Sequence, residues 1–375
     1  MPNDRMSNAE SGAWIDGVLV PLDGGVSAAA ALIAASRQPL FAGLGTDIEG
    51  TRAVVFLAKQ VGGVIDHMHS GPILRDLDSM RESGVMLTTP GEAHIRADTV
   101  LLVGEGLVET WPGLGPRILG RPARPDGTDV ARRIVWLAPA DDAALPGYAL
   151  DRLAVGKGSK RAAALAALRA RVKRRPVAEA PIPLFGIDAI AEFLRCARFG
   201  VAIWSAAALD AMEIEMLNGL VTDLNEATRF STLPLVFPDN GAGVLAACGW
   251  TTGFPMRTGF GAGMPAHDPW RFDSDRLIAQ GETDCVIWIS AWGAAPPASW
   301  PAPAIALCDA ATQFVREPKV RINVGRPGVD HDTVLHSPDS GSLVATPASD
   351  PSEAPSVARI LGLLLGRVAD AEQSA

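Results

Sequence analysis

The residues best equipped for chemistry in this chain are Asp66-His67-Met68-His69, which follow the short apolar run Val64-Ile65. Alternating histidines on a strand project to one face, so His67 and His69 could share a zinc ion. No further histidine or carboxylate pattern completes a metallohydrolase around them. Glycine-rich segments form a second group. Val155-Gly156-Lys157-Gly158-Ser159-Lys160 lies between a strand and a helix, as a phosphate loop would, but a glycine follows Lys157 and the required spacing fails. Gly259-Phe260-Gly261-Ala262-Gly263 matches a dinucleotide fingerprint in composition only, because no strand leads into it and Pro265 stops a helix from starting. No Gly-x-Ser-x-Gly elbow is present for a serine nucleophile. The third group is Thr88-Thr89-Pro90-Gly91-Glu92-Ala93-His94-Ile95-Arg96-Ala97-Asp98, running into Val100-Leu101-Leu102-Val103-Gly104. Pro90-Gly91 reads as a turn, 92–96 as one helical turn, and 100–103 as a buried strand ending on a glycine. Such a strand delivers its carboxyl end to a ligand crevice.

The elements around these residues alternate between strand and helix, which implies parallel strands with helical crossovers. Helices are expected over 26–37, 49–61 and 73–82, and strands over 39–44, 64–66, 85–88, 100–103 and 134–137. Residues 20–155 then form one doubly wound unit. An Ala-rich helix over 158–175 turns basic at Lys173, Arg174 and Arg175, where the charges complement the negative end of the helix dipole on a solvated face. After a proline-punctuated connection at 176–183, a second unit begins with a helix over 187–198 and a strand over 201–204. A Met and Leu stripe follows, with Leu209, Met212, Met216, Leu220 and Leu224 on a core-facing helix. A strand over 235–237, a glycine-rich loop over 249–265, strands over 285–290 and 304–307, short extended segments over 320–347 and a helix over 357–368 complete it. The domains expected are a polar segment over 1–20, a first α/β domain over 21–175 and a second over 184–375.

Composition narrows the function classes. The 375 residues are 48% hydrophobic with a formal net charge of -9, and the mean hydropathy is +0.17. A disordered chain is excluded, and a nucleic-acid binder would carry a basic footprint. No run of about 20 apolar residues offers a membrane span, and the first eleven residues lack a signal-peptide core, so a cytoplasmic protein is expected. Cys196, Cys248, Cys285 and Cys308 are far apart, without a Cys-x-x-Cys pair, and read as buried apolar side chains in a reducing compartment.

The third group, with Ile65-Asp66 and His69-Ser70-Gly71-Pro72 upstream, resembles the pterin-binding body of the molybdenum and tungsten oxidoreductases, in particular the B subunit of formylmethanofuran dehydrogenase. The family pattern Thr-x-Gly-Glu-x-x-x-Arg-Ala-Asp is similar to Thr89, Gly91, Glu92, Arg96, Ala97 and Asp98. Further matches are Gly241-Ala242-Gly243, Trp250-Thr251-Thr252-Gly253-Phe254-Pro255 and Arg257-Thr258-Gly259. Together they spread the resemblance over 38–367. It implies an α/β fold of two or more Rossmann-like doubly wound domains, without the iron-sulfur N-terminal domain. The crevice it would inherit runs past His69, Ser70, Gly71, Pro72, Gly91, Glu92, Arg96, Asp98, Gly104 and Gly259.

Two departures from the family bear on function. Its N-terminal cysteine run has no counterpart, since the first cysteine here is Cys196. Its metal-ligating cysteine or selenocysteine precedes His-Gly-Pro, and His69 occupies that register before Ser70-Gly71-Pro72. An imidazole is a poor substitute for a thiolate on a soft metal centre. Such departures suit the homologous B subunit of the bacterial formyltransferase/hydrolase complex, a non-catalytic structural subunit in one-carbon metabolism and formaldehyde oxidation. The resemblance then implies no cofactor in this chain. It implies partners in a zinc-dependent hydrolase (A), a formyltransferase (D) and a C subunit, with a methanofuran-like formyl carrier and no nucleic acid or membrane. The competing readings are an active molybdenum or tungsten dehydrogenase subunit with His69 on the metal, and a zinc hydrolase using His67 and His69.

Overall fold

Five strands buried at every residue, Pro39–Gly45, Thr99–Val103, Gly200–Trp204, Cys285–Ser290 and Ala304–Cys308, form the frame of the molecule. Strands buried on both faces are near-continuous apolar runs, and in parallel sheets helices cover them from both sides. A computed structural model describes residues 12–120, 132–139, 145, 147–297 and 303–374. The chain divides into two compact units, each a mixed α/β body. The first comprises residues 1–70, 238–336 and 343–375, and the second 71–237 and 337–342.

The first unit holds a nine-stranded sheet. Its parallel centre runs Val64–Ile65, Pro39–Gly45, Cys285–Ser290, Ala304–Cys308 and Val320–Asn323. Antiparallel pieces extend it: Thr258–Gly259 and Ala266–His267 at one edge, Ala13–Ile15 and Val18–Val20 at the other. Counted in chain order the parallel strands lie 2-1-3-4-5, so the winding reverses between Pro39–Gly45 and Cys285–Ser290. At that boundary Gly43 has φ +80°, and a Cβ on it would lie 2.6 Å from the Ile289 carbonyl oxygen. The local register shift between Trp288 and Ser290 fits this close approach. Helix Val357–Ser374 packs on Ile48–Gln60 and Leu22–Ala35.

The second unit holds five parallel strands in the order Asp151–Ala154, Arg133–Ala138, Thr99–Val103, Gly200–Trp204 and Phe230–Pro234. In chain order this is 3-2-1-4-5, with the reversal between Thr99–Val103 and Gly200–Trp204. Helix Ser159–Val172 packs between Leu184–Arg195 and Ala211–Leu224. Asp98 ties the two reversal strands together, because its carboxylate accepts the backbone N–H groups of Arg198 (3.0 Å) and Phe199 (3.4 Å).

Several expectations change. Residues 20–155 are not one unit, since Pro39–Gly45 and Val64–Ile65 join the nine-stranded sheet while Thr99–Val103 starts the other. The cut at 176–183 is also displaced, because the first unit is completed only by strands that return after residue 238. Of the polar segment over 1–20, residues 1–11 lie outside the described residues, and the rest forms a hairpin on the sheet edge. The strand over 85–88 is reduced to a single bridge of Leu87 to Thr232. The strand over 235–237 is displaced to Phe230–Pro234, where Ser231 and Thr232 hide the pattern. The first part of the glycine-rich loop is the end of helix Gly241–Thr252. On Ala211–Leu224 the buried face is Ile214, Leu217, Leu220, Val221 and Leu224, leaving Met212 exposed and Met216 half-buried. Cys196 is exposed, whereas Cys248, Cys285 and Cys308 are buried and burial pushes their thiols up to about 12, 12 and 11. Among the described residues no helix is long and apolar enough to cross a membrane.

Two glycines of the same sequence motif predict opposite outcomes. Gly104 has φ +97° and a Cβ there would sit 2.6 Å from Leu209 Cδ1 and 3.3 Å from Ala208 Cβ, whereas Gly91 is helical with open space around it. Gly104→Ala is expected to lower the unfolding free energy by about 2 kcal/mol or more. Gly91→Ala is expected to raise it by roughly 0.5 kcal/mol. Denaturant titrations of the two variants check both signs.

Candidate functional site

In parallel α/β sheets ligands bind beyond the carboxyl ends of the strands, where the strand order reverses. Both units have such a point, and each can be built from its own residues.

In the first unit, Thr46-Asp47 follows Pro39–Gly45 and Asp66-His67-Met68-His69 follows Val64–Ile65. Asp47 begins helix Ile48–Gln60, accepting the Gly50 N–H at 2.7 Å and the Thr333 hydroxyl at 2.6 Å. Facing them, Asp239 and Asn240 take consecutive left-handed conformations, φ +55° and +57°, before helix Gly241–Thr252. Asn240 Nδ2 donates to the Thr46 carbonyl at 2.9 Å.

His67 is almost wholly buried, and both its ring nitrogens are engaged. Nδ1 accepts the His69 N–H at 3.0 Å, which places the proton on Nε2, and Nε2 donates to the Asp239 carbonyl at 3.2 Å. Burial pushes its pKa down to about 4, so the imidazole is neutral. His69 Nε2 lies 3.5 Å from Asp239 Oδ2. Asp66 is buried beside Arg257, 3.6 Å from Nε, and accepts the Ser274 N–H at 2.9 Å. Burial raises its pKa to about 6, against hydrogen bonding from Ser70 and the charge of Arg257. Directly over the reversal, a Cβ on Gly45 would meet Met68 Cε at 3.2 Å, Ser290 Cα at 3.4 Å and Asp239 Cβ at 3.5 Å. Met68 and Asp239 thus pack against the end of this strand.

In the second unit the reversal is closed by Arg161, a fully buried residue of helix Ser159–Val172. Its Nη1 pairs with Glu105 Oε2, its Nε with Glu213 Oε1, and its Nη2 donates to the Ala208 carbonyl, each at 2.7 Å. Glu105 follows Thr99–Val103, and Ala208 lies in the segment after Gly200–Trp204. Lys157 reaches the other Glu105 oxygen at 2.9 Å. Burial works against the charge of Glu105, but hydrogen bonds from Arg161 and Lys157 outweigh it and hold the carboxyl below its ordinary value. Gly104 accepts the Trp136 indole N–H at 2.8 Å on its carbonyl.

The candidate crevice residues are divided between the units: His69, Ser70 and Gly259 in the first, Gly71, Pro72, Gly91, Glu92, Arg96, Asp98 and Gly104 in the second. Neither unit by itself assembles them. Within the second they serve the fold. Thr89 caps helix Pro90–Arg96, accepting the Glu92 N–H at 3.1 Å, and Glu92 pairs with Thr88 at 2.8 Å and Arg96 at 2.6 Å. Arg96 lies over the Phe199 ring at 4.5 Å. Gly71 and Pro72 occupy the first turn of helix Ser70–Ser83, and Gly259 admits the Phe272 ring, which a Cβ would meet at 2.5 Å. The strand reading of His67 and His69 is corrected: the strand ends at Ile65, and both histidines lie in the turn beyond it. Since His67 spends both nitrogens on the backbone, the two imidazoles do not present a zinc site. Among the described residues no group of three or more His, Cys, Asp or Glu side chains is placed to hold a metal. Glu105, Arg161, Glu213 and Asp239 were not singled out by the sequence. The only local signal was Asp210 and Glu213, spaced as a capping box, which they form.

This geometry has a consequence for stability and another for its pH dependence. Arg161→Met leaves Glu213 buried without its cation and is expected to cost about 3–5 kcal/mol, part of it recovered in the Arg161→Met/Glu213→Leu double variant. Unfolding titrations of both variants check this. As for pH, His67 contributes most above pH 6.5 and loses that contribution as the pH falls toward about 4, whereas Asp66 contributes fully below 3.8 and loses its share as the pH rises through about 6. Asp66→Asn removes the second dependence. Relative to the parent, its stability should therefore rise by about 2.5 kcal/mol between pH 4 and pH 8. A pH-independent difference would contradict it.

Among known proteins, no family model matches the chain. It is 33% identical over 367 residues to the Fhc B subunit of the formyltransferase/hydrolase complex of Methylorubrum extorquens, covering 96% of this chain and 97% of that protein. Over 250 residues it is 26% identical to the B subunit of the tungsten-containing formylmethanofuran dehydrogenase 2 of Methanocaldococcus jannaschii, covering 63% of this chain and 56% of that protein. A chain of the crystal structure of the formyltransferase/hydrolase complex (FhcABCD) from Methylorubrum extorquens, solved with methylofuran, matches with TM-score 0.86 and 32% identity over 96% of this chain and 99% of that one. The chain belongs to the family of formyltransferase/hydrolase complex B subunits, and formylmethanofuran dehydrogenase B subunits are its more distant kin.

Proposed function

We propose that this chain is a structural, non-catalytic subunit of a formyltransferase/hydrolase complex that handles formyl groups on a methanofuran-like carrier. The two sheets are read as Rossmann-like domains inherited from the molybdopterin oxidoreductase body. Partner subunits supply the chemistry: a zinc-dependent hydrolase, a formyltransferase using tetrahydromethanopterin, and a C subunit. The complex of the Methylorubrum relative, solved with methylofuran, supports the carrier class.

The observation that carries this reading is that residues at each strand-order reversal engage one another, Met68 and Asp239 packing beside Gly45 in one unit and Arg161 pairing with Glu105 in the other. A tungsten or molybdenum pterin does not fit the donor set. His69 stands where the distant relatives' soft ligand would be, close to Asp239, and Cys248, the cysteine near Asp66, is buried with its thiol pushed up to about 12. Soft metals bind thiolate, which that environment suppresses.

The test is the assembled complex. His69→Ala is expected to leave formyl hydrolysis and transfer within about twofold of the parent complex, and to leave metal content unchanged. A loss of tenfold or more, or stoichiometric tungsten or molybdenum in the purified complex, overturns the structural role.

A further inference from the structure

Four large apolar side chains are held in solvent within a short stretch of the first unit: Trp250 at 65% exposure, Phe254 at 39%, Met264 at 72% and Trp270 at 68%. They come from the end of helix Gly241–Thr252, from the turn joining Thr258–Gly259 to Ala266–His267, and from the segment after that turn. These pieces are bound together. The Phe254 ring stacks on His267, with centroids 6.2 Å apart. The Arg257 carbonyl accepts the Asp268 N–H at 3.2 Å, and Arg257 Nη1 donates to the Pro269 carbonyl at 2.6 Å. Arg276 lies 4.3 Å over the Trp270 ring while its Nε donates to the Trp270 carbonyl at 2.9 Å.

We propose that this patch is the surface by which the chain docks on a different subunit of its complex, one that offers an apolar face with recesses for two indole rings. The inference rests on the reading of the chain as a complex subunit and names the face involved. The exposed apolar area of the four side chains comes to about 500 Å², taking roughly 150–250 Å² for a whole aromatic side chain. That is as large as the largest apolar patch of a typical monomer, about 300–600 Å². It is also more than half of the roughly 800 Å² that each partner contributes to a standard interface. Tryptophan and methionine are enriched in interface centres, and tryptophan dominates their binding energy.

Two further features favour a partner over mere exposure. The stacking and hydrogen bonds above hold the segments that carry Phe254 and Trp270, so little side-chain and loop freedom is lost on association. Within the turn between the two short strands, the stretch Gly261-Ala262-Gly263 next to Met264 carries no side chain larger than a methyl, so a partner can approach its backbone. Beside it Ala266–His267 is the edge strand of the nine-stranded sheet, with its outer side unpaired among the described residues.

The chain is co-expressed with its neighbouring subunits, and assembly is measured by co-purification and sedimentation for the parent, for Trp250→Ser/Trp270→Ser, and for Phe185→Ser. Phe185 is an equally exposed apolar side chain of the other unit, at 78%. The double variant is expected to weaken assembly by 100-fold or more in dissociation constant, and Phe185→Ser to change it less than twofold. Because a surface variant can still misfold, the parent is also footprinted by tryptophan oxidation, alone and in the complex. Trp250 and Trp270 should lose reactivity on assembly. If the parent fails to assemble, the subunit reading falls. If the parent assembles while the tryptophans stay reactive, or the folded double variant assembles as well as the parent, the docking face is wrong. A homodimer of the isolated chain that the double variant dissolves would replace the different subunit with a second copy.

Discussion

The second unit depends on the guanidinium of Arg161. A parallel sheet whose winding reverses sends the loops after its two central strands in opposite directions, leaving an opening between them. Arg161 answers this with three hydrogen bonds of 2.7 Å, two to carboxylates and one to a carbonyl, from a position without solvent exposure. Its planar fork can serve three acceptors at fixed angles, which a lysine cannot. Burying a charge is costly unless every partner is in place. The helix Ser159–Val172, the Glu105 loop and the capped start of Ala211–Leu224 are therefore held to one arrangement.

The first unit meets the same constraint without a buried cation. There the Met68 side chain and Asp239 pack beside Gly45, and the left-handed backbone of Asp239 turns its carbonyl toward His67. Left-handed non-glycine residues carry strain that the surrounding contacts must hold in place. The pair Asp239 and Asn240 is held by His67, Thr46 and the backbone N–H of His336.

The strands were largely legible in the sequence because burial on both faces leaves uninterrupted apolar runs, as in Cys285-Val286-Ile287-Trp288-Ile289-Ser290. Strand Phe230–Pro234 was missed because Ser231 and Thr232 interrupt the pattern, although Thr232 is buried and hydrogen-bonds to the backbone of Met86. The division into units was not legible, since period and composition carry no signal for which sheet a strand joins. The Thr88 to Asp98 motif reads as a turn at Pro90-Gly91 and one helical turn leading to a buried strand; the strand stands, but the helix begins at Pro90, and the motif's residues serve capping and strand tethering. Ligand chemistry and capping chemistry use the same residue types, so only the partners distinguish them. Arg161 escaped notice because its acceptors lie 56 and 52 residues away.

The interruption of the first unit by the second sets an order on synthesis. Strand Pro39–Gly45 is paired along one side with Cys285–Ser290, about 245 residues later in the chain. A chain emerging from the ribosome at about 5–20 residues per second exposes that wholly apolar strand for tens of seconds before its partner exists. The second unit lies almost entirely within the intervening stretch, and all five of its strands are made first. Growth of the nascent chain thus leaves an unpaired strand edge waiting, and a chaperone or an early-binding neighbour would have its longest opportunity there.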